Sequence, residues 1–224
     1  MTVDVYISPE VDQVVALYAG LIDDQVWRRT ARDQIAGLAE RLLDGHRTRH
    51  PGVVFELRCW LPDTVKRTAA DLFAQPLTLE EARNTVACAH GFGSWQSVRE
   101  TAADPFFEQA VETVLSGDTH ALQVLLSDNP YLAAARSHYG HNATLLHYVA
   151  ANGVESYRQR VPATAPDVTR LLLQHGASAH ATMPVYGGHY TTRDLLLTSA
   201  HPARAGVVEP ICVILDGSAG LPCA

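Results

Sequence analysis

Two short apolar segments constrain this chain more than anything else in it: residues 143–153 (ATLLHYVAANG) and, after an interruption, residues 167–177 (DVTRLLLQHGA). Each reads as a brief helix closed by a glycine. A pair of such helices cannot bury its apolar face alone, so it has to stack on neighbours of the same kind. The surrounding chain must therefore supply more helices.

The composition allows that. With 224 residues, 47% of them hydrophobic and 18% charged, the chain is long enough to bury a sizeable core and too apolar for disorder. No apolar run is long enough to span a bilayer. The first ten residues, MTVDVYISPE, lack the basic and apolar regions of a secretory signal. The expectation is a soluble cytoplasmic protein without a membrane contact. Cys59, Cys88, Cys212 and Cys223 are widely separated, with no C-x-x-C pair, and read as reduced thiols that bind no metal. A formal charge of −7 opposes nucleic-acid binding, which depends on Lys and Arg neutralising phosphates. The basic run at residues 27–32 reads as a solvated helix face.

Helix signals recur along the chain. Ser8 and Pro9 form a cap and a first helical position, with Val11, Val14, Tyr18 and Leu21 following at helical spacing. Asp23 and Asp24 suit the start of a second helix, carrying Trp27, Ile35, Leu38 and Leu42, that Gly45 should end before His46 and His50. The run 53–61 reads as a helix, and Asp63 and Thr64 suit the start of another that Pro76 ends. Thr78 and Glu81 make a capping box for a helix closed by Gly91, and Ser94 caps a further one. A helix-turn-helix DNA reader would need basic or amide side chains on that last helix. Gln96 and Arg99 are the only obvious ones, whereas Phe92 and Trp95 call for burial.

In residues 143–153 and 167–177, the order TLLH, AxxG and LLxxGA resembles one ankyrin repeat. There, T-P-L-H opens the first helix and L-L-x-x-G-A closes the second. Residues 77–98 are similar to the segment, ending in G-F-x-S-W, that precedes the repeats in a group of bacterial ankyrin-repeat proteins. The resemblance implies an all-α fold: a helical N-terminal region, residues 1–102, packed on a short ankyrin-like solenoid, residues 103–224. That solenoid would hold about three repeats, with insertions at 154–166 and 201–206. Leu145 stands where the motif prefers proline, and the second and third repeats are longer than usual. The function implied is binding of a protein partner, without a cofactor. The last repeat lacks the polar closing helix that shields a solenoid end, which points to a homodimer through that face.

Seven of the eleven histidines fall between His138 and His201. His147 occupies the motif position that bonds across the turn, a structural role. Three connections gather polar and aromatic residues, at 137–142, 155–160 and 186–193. They should project together as a binding face carrying Tyr139, His141, Tyr157, Arg158, Tyr186, His189, Tyr190 and Arg193, of residue types that anchor interfaces. No G-x-S-x-G, H-E-x-x-H, P-loop or dinucleotide glycine pattern is present. The alternative is a small-molecule enzyme or ligand-binding protein with a His- and Tyr-lined pocket, in which His141, His189 and His201 meet as acid, base and orienter.

Overall fold

The computed structural model describes residues 3–22, 29–100 and 102–218. The chain is mostly helical. Its helices are α1 (Pro9–Leu17), α2 (Ala31–Arg47), α3 (Gly52–Trp60), α4 (Ala69–Ala74), α5 (Leu79–Ala89), α6 (Pro105–Ser116), α7 (Thr119–Asp128), α8 (Leu145–Tyr148), α9 (Ala165–Gln174), α10 (Thr192–Thr198), α11 (Ala200–Arg204) and α12 (Val208–Ser218). Among the described residues, four short strands depart from the all-α expectation. They pair as two antiparallel sheets, β1 (Val5–Ile7) with β2 (Arg160–Pro162) and β3 (Thr182–Val185) with β4 (Gly188–Thr191).

Local hydrogen bonds fix several helix starts, among them the expected ones at Ser8 and Thr78. Ser8, Thr78 and Asp104 cap α1, α5 and α6 through their side chains, and Thr78 and Glu81 close a reciprocal box. Other boundaries move. Asp23, Asp24, Trp27 and Arg28 lie outside the described residues, and α2 starts at Ala31 with Thr30 as its cap. Gly45 does not end α2, which runs on to Arg47. A Cβ at Gly45 would lie 2.5 Å from Leu17 Cδ1 and 2.9 Å from Val53 Cγ2, so this glycine serves the close approach of α1 and α3. Asp63 takes a left-handed φ of 61° and turns the chain, which leaves Thr68 and Asp71 to box the start of α4. Behind Ser94 there is only a single 3-10 turn, Trp95–Ser97, too short to enter a groove of DNA as a recognition helix. Residues 201–206, expected as a loop, contribute most of α11, which Gly206 ends at φ 72°.

Two hydrophobic cores result. One, between α1, α2, α3 and α5, is built from Val14, Leu17, Ile35, Leu38, Leu42, Leu57 and Val86. The other runs from Phe107 to Leu215 through the second half. There the helices contact in succession: α6 with α7 and α8, α7 with α9, α8 with α9 and α10, and both α9 and α10 with α12. Tyr139 and Tyr157 cross over. Both belong to the second half of the sequence yet pack in the first core.

Between the halves the backbones touch. A Cβ at Gly91 would sit 2.3 Å from the His141 nitrogen, and one at Gly140 2.5 Å from the Gly91 carbonyl carbon. Glycine at both positions is what lets the two loops meet. No helix among the described residues is long and apolar enough to cross a membrane.

Candidate functional site

The seam between the halves holds a cluster of charged side chains. Residues 154–162 do not project as a loop. They form a 3-10 turn, Ser156–Arg158, that packs on α1, and then β2, which pairs with β1, so the N-terminal half covers them. Arg158, 3% exposed, donates from Nη2 to Glu108 Oε2 at 2.6 Å and from Nη1 to Glu155 Oε1 at 3.1 Å. Its Nε lies 3.4 Å from Glu112 Oε1, and Arg160 pairs with the same Glu112 at 2.8 Å. His141 Nδ1 accepts from the Ala143 amide, which leaves Nε2 to face Glu155 Oε2 at 3.4 Å. Burial acting alone would raise the Glu155 carboxyl, but His141 and Arg158 overcome it and hold the group below the usual carboxylate range.

Nearby groups answer to burial. His90 donates from Nδ1 to the Val86 carbonyl and accepts from the Tyr157 hydroxyl at 3.3 Å, and burial lowers its pKa to about 4. Glu56 accepts from the Tyr18 hydroxyl at 3.3 Å, and burial pushes its carboxyl up to about 7 against the pull of Ser156 and Tyr18. His147 accepts from the Thr144 amide through Nδ1, and its pKa falls to about 4, chiefly from burial. These arrangements lock the seam. Tyr139, His141, Tyr157 and Arg158 are all buried.

The sequence-derived face is thus divided. Only the hairpin β3–β4 projects. Its turn, Tyr186-Gly187, has positive φ at both positions, 52° and 76°, as a two-residue hairpin turn requires. One face of the hairpin is anchored by buried Met183 with Tyr190 opposite, while Tyr186 (60% exposed) and His189 face solvent. The Tyr186 hydroxyl donates to Asn152 Oδ1 at 2.8 Å. Arg193 is tied to Asp216 at 2.8 Å and so braces α10 against α12.

The three histidines of the enzymatic alternative have separate surroundings. His141 is in the seam, His189 is across from Pro184 in the hairpin, and His201 is on α11 with its ring 6.2 Å from that of Tyr6. No hydrogen bond or ring contact joins any two of them among the described residues. His46, expected beyond a helix end, is buried on α2 and donates to the Leu72 carbonyl, while His50 accepts from the Gly52 amide. Among the described residues no three His, Cys, Asp or Glu side chains are grouped to hold a metal ion.

No family model, curated protein or solved structure matches this chain. Its site has to be read from its own geometry. Beside the hairpin lies an open groove of about 630 Å³, lined by Gly91, Phe92, Gly93, Ser97 and Arg99 on one side, and Arg136 to Gly140, Asn142 and Pro184 on the other. Sequence reasoning missed Arg136 and His138 as site residues, although they adjoin or lie within the polar stretch it singled out. It also missed Glu108 and Glu112. Their i, i+4 spacing was the available signal, since it places two carboxylates on one helix face.

Proposed function

We propose that this chain is a protein-binding module of stacked, ankyrin-like helix pairs, which engages a partner protein through the β3–β4 hairpin and the groove beside it. The succession of packed pairs α6–α7, α8–α9 and α10–α12 supports the repeat reading, as does the reciprocal bonding of Thr144 and His147 at the start of α8. The observation that carries the binding reading is Tyr186. It is a large aromatic side chain held in the open by a turn whose strands are pinned to the core, so little ordering is left to be done on binding. Exposed Leu197 and Val213 on the last helix pair support a homodimer as a further mode. The enzymatic alternative lacks its founding condition, because His141, His189 and His201 do not meet.

The test is a pull-down from the source cell followed by an affinity measurement with each purified partner. Replacing Tyr186 and His189 together by alanine should weaken a true partner at least tenfold, while the circular-dichroism spectrum stays unchanged. A partner held with unchanged affinity by the double variant would place the interface elsewhere.

A further inference from the structure

We propose that the groove between residues 91–99 and 136–142 takes an acidic peptide segment, with Arg136 and Arg99 as its cationic anchors. This inference rests on the protein-binding reading and names the chemistry of the partner.

The groove has the opposite sign to the chain around it. The sequence carries 24 acidic residues against 17 Lys and Arg, yet the groove lining includes Arg99, Arg136 and His138 and no Asp or Glu. A local excess of positive charge on an acidic protein attracts anions.

Arg136 is preorganised for such a ligand. Its Nη1 donates to the carbonyls of Asn142 and Thr182, both at 2.9 Å, which fixes the guanidinium between the 137–142 loop and the hairpin. These partners are neutral. Among the described residues no carboxylate pairs with Arg136, whereas the buried Arg158 and the half-buried Arg160 share Glu108, Glu112 and Glu155. A guanidinium held by two carbonyls keeps its full charge and its remaining donors for a planar carboxylate. Its field is felt inside the fold, where it helps to lower the pKa of His147, after burial. Arg99 is exposed on the opposite wall and makes no hydrogen bond or ion pair among the described residues. His138 is fixed through Nδ1, which donates to the Ala102 carbonyl.

The floor is rigid because Gly91 and Gly140 meet backbone to backbone, and Phe92, Tyr139 and Pro184 give it apolar edges. Guanidinium groups on both walls of an open, partly apolar trough suit several carboxylates on one extended chain better than one small anion.

Fluorescence anisotropy of the full chain with a labelled oligoglutamate tests this, with oligolysine as the control and inorganic phosphate as competitor. Oligoglutamate should bind at low salt, oligolysine should not, and affinity should fall as ionic strength rises. Arg99→Gln, which removes no contact within the fold, should weaken binding several-fold, and Arg99→Gln with Arg136→Gln at least tenfold. Equal binding of the two peptides, or unchanged affinity in Arg99→Gln and in the double variant, would overturn the proposal. Displacement by equimolar phosphate would overturn it in favour of a simple anion site. If oligoglutamate fails but the Tyr186 and His189 double variant still loses its partner, only the groove chemistry falls. Loss of both results removes the binding module itself.

Discussion

Residues 155–160 and 186–193 have similar compositions, with tyrosine, arginine and polar side chains in each, yet the first is buried and the second stands in solvent. The difference lies in what each segment meets. The first finds a strand, β1, whose edge its own backbone completes, and the two carboxylates of α6 that neutralise its arginines. The second folds back on itself as a hairpin, so its backbone is satisfied locally and needs no cover. Polar composition marks a segment that requires partners. It does not say whether those partners are solvent, another protein or the rest of the same chain.

Arg158→Ala should break this contrast most severely. Removing the guanidinium leaves the Glu108 carboxylate buried without its countercharge and Glu155 with His141 alone, a loss of about 3 to 5 kcal/mol. Chemical denaturation measures it, and a loss under about 1 kcal/mol would mean that solvent reaches the seam.

Next is the pH response of the seam. Glu56 titrates at about 7 in the fold against 4.5 in the unfolded chain, so between these values the folded state holds a proton that the unfolded state has released. Its effect is to lower stability as pH rises through that window, by up to about 3 kcal/mol above pH 7. Glu56→Gln should therefore be more stable than the parent at pH 8, by about that amount, and nearly equal to it at pH 4. His90 and His147 act oppositely. Their pKa values fall from 6.5 to about 4, so their contribution is complete above 6.5 and is lost as pH falls toward 4. Denaturation midpoints from pH 4 to 8 for the parent and Glu56→Gln separate the two effects. A pH-independent difference would mean that Glu56 keeps one protonation state in the fold.

The hairpin supplies the smallest effect and the sharpest contrast. Tyr186→Ala gives up one solvent-facing hydrogen bond to Asn152, and should cost under about 0.5 kcal/mol in the same denaturation experiment. A cost above about 2 kcal/mol would show that the tip is part of the core and that the two segments do not differ as described.

Much of the fold was legible because it is decided over a few residues. Ser8, Thr78, Asp104 and Thr191 each bond a backbone amide within three positions, so the starts of α1, α5, α6 and α10 follow from near neighbours in the chain. Likewise Gly187 marks the hairpin turn because its positive φ is a local demand. Gly45 misled for the opposite reason. Its lack of a side chain answers to Leu17 and Val53 on other helices, and a glycine chosen for close packing looks the same in sequence as one chosen to end a helix.

The candidate site was legible only in part. Tyr186 and Tyr157 were expected to project alike, and only Tyr186 does; the groove is made where 91–99 meets 136–142, two loops with no local reason to be neighbours. Sequence alone determined where several helices begin and where some of the turns fall, since backbone bonding and apolar periodicity act within a turn or two of the chain. Tertiary structure decided which arginines are neutralised and which stay free. Arg158 lies 50 residues from Glu108, and Arg136 lies 46 from the Thr182 carbonyl that holds it. Charge is paired by distance in space, and only the packing of the two halves fixes that distance.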